Sequence, residues 1–166
     1  MRITDDAGRE LPVGEVGEIW FRTPPEEGPT YAYVGADRRE RDGWNSFGDL
    51  GQVDADGYLY LADRRTDMIL CGGVNLYPAE IEAEIERHPA VICAVVVGLP
   101  DEDLGARPHA IVQSDWPSEP LASELRAALA LTLSTNKIPR AFEITTEPLR
   151  DAAGKVRRSA LAEARR

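Results

Sequence analysis

The sequence has few of the residues that most often build metal centres and nucleophilic sites. Its two cysteines, Cys71 and Cys93, lie among apolar or small residues and are not part of a CxxC pair. Two reduced, partly buried thiols are therefore expected rather than a metal site, which needs more ligands. The two histidines, His88 and His109, do not have the spacing of zinc ligands, and they do not allow a Ser/His/Asp arrangement to be read.

Long apolar runs and net positive charge are also absent. No run approaches the roughly 20 apolar residues of a membrane-spanning helix, and the residues after Met1, RITDDAGRE, lack the apolar core of a signal peptide. We therefore expect a cytoplasmic protein without a transmembrane segment. The formal net charge of −10 argues against nucleic acid as the main partner, although residues 150–166 are locally basic and suited to a small anion.

The chain of 166 residues is long enough for one ordinary domain, or for a domain of about 100 residues with an appendage. From residue 64 onward the pattern predicts a leading β-hairpin followed by helix, strand, strand, helix, strand and helix. The predicted helices and strands are YPAEIEAEIERHP, AVICAVVVG, HAIVQ, PLASELRAALALTLS, AFEIT and RRSALAEARR. This order is typical of an α+β fold, with a three-stranded sheet packed by helices.

The N-terminal third has a different character. The run VGEIWFR predicts a strand, and the β-rich arms around Asp-Ala-Asp-Gly predict a hairpin. Residues 24–44 predict a long loop or a mobile segment. Asp54 and Asp56 lack the further ligands of a calcium loop, so no metal site is predicted. A piece with so much loop buries little apolar area, which indicates the β-rich edge of something larger.

The use of lysine is unusual. The chain has seventeen arginines and only two lysines, Lys137 and Lys155. Lys155 follows Gly154 in a polar loop, where a solvated surface lysine would be ordinary. A chain that uses arginine for almost every other cation could have used arginine here as well, and the planar guanidinium is not equivalent to a compact ammonium on a flexible stem. The composition therefore raises the question of what this lysine does.

Several motifs, taken in order, resemble a known family. They are GWNSFGDLGQVDADGYLYLADRRTDMILCGGVNLYPAEIEAEIERHP, AVVVGLPDEDLGARPHAIV, KIPR and PLRDAAGKVRR. From about residue 13 to the end, this ordered set is similar to the C-terminal part of adenylate-forming enzymes, in particular acyl-CoA synthetases that act on fatty or related acids. Single pieces such as GD or GK are common, whereas the ordered set is specific.

The resemblance implies a division of the chain and a reaction. Residues 1–62 would be the end of a large N-terminal domain that binds ATP and the acid, and residues 63–166 would be a small mobile C-terminal domain. The implied reaction joins a carboxylate to the α-phosphate of ATP, releasing pyrophosphate, and coenzyme A then displaces AMP. ATP, Mg²⁺ and coenzyme A are therefore expected in the parent enzyme, with none bound tightly to this chain, and the rest of the N-terminal domain is the expected partner.

The resemblance also implies roles for individual residues near the nucleotide. Asp49, in FGDLG, matches the aspartate that accepts hydrogen bonds from the ribose hydroxyls of ATP, although a turn aspartate is the local alternative. Phe47 stands where the family usually has threonine. Arg64 matches the arginine that begins the inter-domain linker and contacts the nucleotide. Thr66, or alternatively Asp67, corresponds to the hinge, where a residue need only tolerate a backbone rotation.

Further roles follow in the small domain. Gly72 and Gly73 match glycines that line the path of the pantetheine, and they also suit a hairpin turn. Lys155 matches the near-terminal lysine that reaches the active site during adenylation, where its ammonium would bridge the carboxylate and the α-phosphate. Lys137 and Arg140, in NKIPR, could meet the phosphates of coenzyme A.

Arg157 and Arg158 could meet the same phosphates of coenzyme A. The glycine-, serine- and threonine-rich loop that holds the ATP phosphates is absent from the chain, as is a region large enough for the acid pocket. We therefore expect a fragment of an acid–CoA ligase that is inactive alone. Two alternatives are an adenylation domain that loads a carrier protein and a non-catalytic binding module with the same fold. The residues do not identify the acid or the oligomeric state.

Overall fold

The computed structural model describes residues 1–22 and 38–166. It divides into two compact units, Met1–Thr66 and Asp67–Arg166, here called the N-terminal unit and the C-terminal unit. No helix among the described residues is both long enough and apolar enough to cross a membrane. The assignment of residues 1–62 and 63–166 to a large and a small domain stays a prediction.

The N-terminal unit is a sheet of short antiparallel strands. Within the described residues there are six: β1 Arg2–Thr4, β2 Gly17–Arg22, β3 Arg39–Arg41, β4 Trp44–Ser46, β5 Asp49–Val53 and β6 Leu59–Arg64. The central strand is β2, which pairs with β1, β4 and β5, while β3 pairs with β4 and β6 pairs with β5. The small core includes Ile3, Ile19, Trp20 and Leu50. So few buried side chains agree with the limited apolar area expected from the sequence.

The loop predicted over residues 24–44 is only partly described. Residues 24–37 lie outside the described part of the chain. The rest of the predicted loop contains β3 and the start of β4, so the loop prediction is wrong there. Every residue of β3 is exposed, which explains why no apolar alternation marked it. Backbone pairing with β4, rather than side-chain burial, defines this strand.

The β5–β6 hairpin confirms the one predicted around Asp-Ala-Asp-Gly. Asp54 Oδ1 accepts hydrogen bonds from the N–H groups of Asp56 and Tyr58 at 3.0 and 2.9 Å. Asp54 Oδ2 accepts one from the Tyr60 hydroxyl at 2.9 Å. The hydrogen bond from the Tyr58 N–H is the main cause of a lowered pKa of Asp54. The carboxylate thus closes a turn.

The C-terminal unit joins one mixed sheet to three helices. Its elements are β7 Ile69–Cys71, β8 Val74–Leu76, α1 Pro78–Ile85, β9 Cys93–Asp101, β10 Gly105–Gln113, α2 Ser118–Thr132, β11 Ala141–Thr145 and α3 Arg158–Glu163. β10 pairs antiparallel with β9, parallel with β11 and, at Gly105, antiparallel with β7. The predicted α+β class is confirmed. The leading hairpin, β7–β8, extends the predicted three strands into a single five-stranded sheet.

The side chains of β9 contribute to two hydrophobic clusters on opposite faces of this sheet. Ala94 and Val96 belong to the cluster covered by α1 and α2, where Leu121, Leu125 and Leu129 are buried. Cys93, Val95, Val97 and Leu99 belong with Leu149 to the second cluster, against which Val156 and Leu161 pack. Alternate side chains of a strand point to opposite faces, so the continuous apolar run AVICAVVVG is explained by burial on both sides.

Two carboxylates, one on α1 and one on the residue that follows it, occupy the outer edge of β9. Pro78 begins the helix at a position that needs no N–H donor, and its Ile81 and Ile85 are fully buried. On the neighbouring side of the helix, Glu86 Oε1 accepts a hydrogen bond from the Ala94 N–H at 2.9 Å, and Glu82 Oε1 accepts one from the Val96 N–H at 2.7 Å. This segment therefore packs on the sheet and also provides acceptors for the backbone N–H groups at the edge of the sheet.

Arg158, the first residue of α3, is anchored in the same place. Its guanidinium pairs with Glu82 through both terminal nitrogens, and its Nη1 donates to the Val96 carbonyl at 2.7 Å. Its Nε donates to Asp67 Oδ2 at 3.3 Å. The side chains of Arg158 and Glu82 are only 18% and 15% exposed. Arg158 therefore holds α3, α1, β9 and the first residue of the unit together.

Removing this guanidinium is expected to destabilise the C-terminal unit. Loss of one partner from a largely buried ion pair leaves the other charge uncompensated, which costs roughly 3 kcal/mol or more. Unfolding of Arg158→Ala by guanidinium chloride, monitored by circular dichroism, should show this loss in the free energy of unfolding. Arg157→Ala is the matched control, because the neighbouring side chain is 80% exposed. Equal stability of the two variants would contradict the anchoring role of Arg158.

Candidate functional site

Asp49 and Arg64 face each other across the β5–β6 hairpin. Asp49 begins β5, Arg64 ends β6, and the antiparallel register sets the two residues opposite one another. Arg64 Nε lies 3.8 Å from Asp49 Oδ1, and the side chains are 76% and 38% exposed. A long, solvent-exposed ion pair is weak. The carboxylate can therefore accept hydrogen bonds from a ligand while the guanidinium donates to an anionic group beside it.

The loop before Asp49 is held by a buried carboxylate that the sequence analysis did not single out. Glu18 of β2 is 4% exposed, and its Oε1 accepts a hydrogen bond from the Ser46 hydroxyl at 2.8 Å. Ser46 Oγ in turn accepts the Gly48 N–H at 3.0 Å. Gly48 has a φ of +79°, which favours glycine. Asp49 is thus presented by a loop whose backbone is tied to the core.

Arginines neutralise Glu18 and extend this support toward the next segment. Arg39 Nε lies 2.9 Å from Glu18 Oε1, and Arg65 Nη1 lies 3.4 Å from Glu18 Oε2 and 2.7 Å from Asp6 Oδ1. The Arg65 N–H donates to the Gly48 carbonyl at 2.8 Å. The only sequence signal for this network was a glutamate inside an otherwise apolar strand run, since its partners are distant in the chain.

The two candidate hinge residues, Thr66 and Asp67, come directly after β6 in the chain. Residues 65–67 form a turn after β6, and the division between the units falls between Thr66 and Asp67. Asp67 is held by Arg158, as described above. The role of either residue as a pivot stays a prediction.

Gly72 and Gly73 form the tight turn between β7 and β8. Their φ values of +57° and +80° give the two left-handed residues of a type I′ hairpin turn. The Gly72 N–H donates to the Leu104 carbonyl at 2.9 Å, and a Cβ on Gly72 would come within 3.1 Å of Leu104 Cδ2. The hairpin alternative considered for these glycines is therefore realised, which is compatible with a binding role.

A cavity of about 620 Å³ lies beside Gly72 within the C-terminal unit. Its lining is apolar at Val74, Leu104, Pro108 and Ile138, and its charged lining residues are Arg107, Arg126 and Arg140. Arg126 is already engaged, because it donates to the carbonyls of Pro139 and Arg140 at 3.1 and 2.9 Å. The predicted residues Gly72 and Arg140 thus line the same cavity. Arg107 and Arg126 also line it, and the sequence analysis did not identify them.

Arg107 and Arg140 share one weak partner. Arg107 Nε and Arg140 Nη1 lie 3.7 and 3.9 Å from Asp101 Oδ2. The Leu104 N–H, followed by the Asp103 N–H and the two arginines, lowers the pKa of Asp101. Its single carboxylate cannot neutralise two guanidinium groups, so the cavity keeps an excess of positive charge suited to phosphate.

Lys137 is placed differently from Arg140. It ends a short 3₁₀ turn, Thr135–Lys137, and its Nζ donates to both carboxylate oxygens of Glu80 at 2.6 and 2.7 Å. It is not among the residues that line the cavity. The contact predicted between Lys137 and coenzyme A therefore stays a prediction without support from this arrangement.

Lys155 lies on an exposed loop between β11 and α3. It borders a cleft of about 290 Å³ together with Arg150, Asp151 and Arg157. Its ammonium makes no hydrogen bond or ion pair with any residue that the structure describes. A long cationic side chain is thus carried on an ordered segment with its charge available.

Metal and thiol chemistry find little support in the described residues. No cluster of three or more His, Cys, Asp or Glu side chains suited to a metal ion occurs among residues 1–22 and 38–166. Cys71 and Cys93 are both buried, and burial is the main cause of a raised pKa of the Cys93 thiol. A buried thiol with a raised pKa is a poor nucleophile.

Comparison with known proteins identifies the C-terminal unit. The family described as the AMP-binding enzyme C-terminal domain matches residues 80–155. This range begins in α1, ends at Lys155 and contains the strands β9, β10 and β11.

Two relatives are similar to this chain over nearly its whole length. A fatty acid–[acyl-carrier-protein] ligase of Streptomyces coeruleorubidus is 40% identical over 96% of this chain and 31% of its own length. A 2-succinylbenzoate–CoA ligase of Bacillus licheniformis is 38% identical over 93% of this chain and 32% of its own length.

A solved structure is similar over the same extent. The o-succinylbenzoate CoA synthetase of Bacillus subtilis, in complex with an acyl-adenylate intermediate, has a TM-score of 0.83 and 35% identity over 96% of this chain and 33% of that one. The chain thus spans about a third of the length of these relatives. Residues 80–155 match the family of AMP-binding enzyme C-terminal domains, and nearly the whole chain is similar to the C-terminal part of adenylate-forming enzymes of the acyl-CoA synthetase family.

Proposed function

We propose that this chain is the C-terminal part of an ATP-dependent acid–thiol ligase that uses coenzyme A. In the first step a carboxylate oxygen attacks the α-phosphate of ATP, and pyrophosphate leaves. In the second step the thiolate sulfur attacks the acyl carbonyl, the thioester bond forms, and AMP leaves with the electron pair of the broken C–O bond. Mg²⁺ would accompany ATP, and the cytoplasm is the expected location.

One observation carries the proposal: one of the two lysines has its charge neutralised by a neighbouring carboxylate, and the other does not. The Lys137 ammonium is neutralised by Glu80, whereas the Lys155 ammonium has no partner among the described residues. A cation held away from carboxylates is suited to contact anions supplied by a ligand. Two anions, the acid and the α-phosphate, must approach each other in adenylation, and a preorganised ammonium lowers the cost of bringing them together.

The Asp49–Arg64 pair supports a nucleotide site in the N-terminal unit. A carboxylate can accept two hydrogen bonds from a ribose diol, and the neighbouring guanidinium suits a phosphate. The fixed Ser46–Asp49 loop would present this carboxylate without further ordering on binding, which favours affinity. The nucleotide contacts of Asp49 and Arg64 are part of the proposal.

The Gly72 cavity supports the thiol-donor site. An unbranched pantetheine arm needs a close backbone approach, which a glycine permits, and coenzyme A carries phosphates that Arg107 and Arg140 would meet. Gly73, the second turn residue, would keep this approach open.

A carrier protein is a second candidate for the thiol donor. One relative is named for an acyl-carrier-protein substrate and another for coenzyme A. Coenzyme A is favoured here because two weakly paired arginines border the cavity, where the phosphates of a free nucleotide thiol could reach both. The presence of both Lys155 and Asp49, at the positions that match the family's functional residues, speaks against a non-catalytic binding module.

The rest of an N-terminal domain is the proposed partner of the N-terminal unit. On and beside the edge strand β6, Tyr58, Tyr60 and Leu61 are 68%, 52% and 69% exposed. Large apolar side chains clustered on one strand are typical of a surface that another part of a protein covers.

The 166-residue chain alone is expected to lack adenylation activity, because the residues that hold the ATP phosphates and the acid are not found in it. It should release no pyrophosphate when mixed with ATP, Mg²⁺, coenzyme A and a panel of carboxylic acids. Appreciable acid-dependent pyrophosphate release would contradict this expectation.

Substitution of Lys155 in the full-length enzyme is expected to separate the two steps. Lys155→Ala should lower the rate of acid-dependent pyrophosphate release by about 100-fold, the usual effect of losing one preorganised charge donor. Lys155→Arg should recover little, since the guanidinium has a different size and geometry. Thioester formation from a supplied acyl-adenylate should change much less.

The exposed Arg87, paired with Glu84 on α1, is the control for a general charge effect, and Arg87→Ala should behave as the wild type. Undiminished adenylation by Lys155→Ala would reject the proposed role of the lysine.

Substitution of Arg107 or Arg140 should weaken coenzyme A binding. Each alanine variant is expected to raise KM for coenzyme A by about 10-fold, as for the loss of one charge-assisted hydrogen bond. Pantetheine, which lacks the nucleotide phosphates, should lose little affinity with the same variants. An equal loss for both thiols would exclude a phosphate contact and favour a merely structural role.

A further inference from the structure

The loop that carries Lys155 is closed around a single residue, Asp151. Asp151 Oδ1 accepts hydrogen bonds from the N–H groups of Ala153 and Lys155, both at 3.0 Å. The Asp151 N–H donates to the Lys155 carbonyl at 2.9 Å, and the Asp151 carbonyl accepts the Gly154 N–H at 2.8 Å. Both backbone polar groups of Lys155 are therefore bonded to the same residue.

Two arginines and one glycine complete the closed loop. Arg150 Nη1 donates to the Gly154 carbonyl at 3.2 Å, and Arg157 Nη2 lies 3.7 Å from Asp151 Oδ2. Gly154 has a φ of +74°, a conformation that other residues adopt with strain. These contacts fix the backbone on both sides of Lys155.

The segment on either side of this loop is fixed to the core. Leu149, two residues before Asp151, is buried in the cluster on one face of the sheet, and Val156 packs against that cluster. Arg158 is anchored to α1 and β9. The loop is therefore attached at both ends, and Asp151 governs the conformation of the exposed residues between them.

We propose that Asp151 is a positioning residue that sets the point from which the Lys155 side chain extends. The proposal rests on the proposed role of Lys155 in adenylation. Asp151 would not touch the substrate; its carboxylate fixes the Lys155 backbone, so that only side-chain torsions remain to be ordered when the ammonium meets its anions. The carboxylate oxygen serves as an acceptor, and its charge is partly offset by Arg157.

The acceptor and the charge can be separated by substitution in the full-length enzyme. Asp151→Ala removes the acceptor and should lower the rate constant of adenylation, measured by acid-dependent pyrophosphate exchange, by about 10-fold or more. Asp151→Asn keeps an oxygen acceptor at the same place and should retain nearly all of the rate. Thioester formation from a supplied acyl-adenylate and the thermal midpoint should be unchanged in both variants.

A direct readout of the loop accompanies the kinetics. Amide hydrogen exchange measured by mass spectrometry should accelerate in the peptide containing residues 151–155 of Asp151→Ala, and not in peptides from β9 or β10. Asp151→Asn should keep the slow exchange. A merely structural role would instead lower the thermal midpoint and slow both half-reactions together, which would overturn the proposal.

The other outcomes are also decisive. If Asp151→Ala adenylates as fast as the wild type while Lys155→Ala is impaired, the positioning role is rejected and the role of the lysine stands. If Asp151→Asn is as slow as Asp151→Ala, the charge and not the acceptor matters, and positioning through the backbone is rejected. If Lys155→Ala is unimpaired, the proposed function fails and this inference fails with it.

Discussion

The ion pair between Arg158 and Glu82 is the interaction on which the C-terminal unit depends. It connects the last helix of the unit, α3, to its first helix, α1, and it fixes both to the outer edge of β9. Burying two charges carries a desolvation cost that only good geometry and further hydrogen bonds offset. The backbone of Val96 provides those further bonds on both sides of the pair. The position of the Lys155 loop relative to the sheet follows from this anchor.

The two units divide the candidate chemistry between them. The N-terminal unit presents a carboxylate and a guanidinium on a hairpin supported by Glu18. The C-terminal unit presents a glycine turn, two arginines and an ammonium that has no partner in the part of the chain that the structure describes. Each of these groups is exposed or half-exposed, and Glu18, which supports the hairpin, is buried. This arrangement gives ordered positions to side chains that remain free to contact a ligand. Apart from Arg107, which lies within β10, the functional candidates lie at turns, loops and strand ends.

Strong periodicity allowed much of the fold to be predicted from the sequence. The strand predicted at AFEIT is observed as Ala141–Thr145, and the helix predicted over PLASELRAALALTLS is observed as Ser118–Thr132. Its leucines recur every four residues and are buried on one face. The strand Arg39–Arg41 was missed because it buries no side chain and is defined by backbone pairing alone. The continuity of the hairpin β7–β8 with the main sheet was also missed, since it depends on a single pairing at Gly105.

The candidate site was only partly accessible to sequence reasoning. Motif order pointed to Asp49, Gly72 and Lys155, whereas the residues that support or surround them depend on contacts between distant segments. Glu18 meets Ser46 only in the folded sheet, and Arg107 meets Arg140 only because β10 and the segment before β11 border the same cavity. Asp151 differs from these residues because its contacts are local in the chain: an aspartate three residues before a glycine is a turn signature that the sequence itself displays.

The carboxylates of Glu82 and Glu86 along β9 also affect the tendency of the protein to associate with its own copies. An uncovered strand border invites another chain to add itself by backbone pairing, which is a common route to aggregation. Glu82 and Glu86 consume the amides of Val96 and Ala94 that such an incoming chain would need. The C-terminal unit is thereby protected from polymerising through this border.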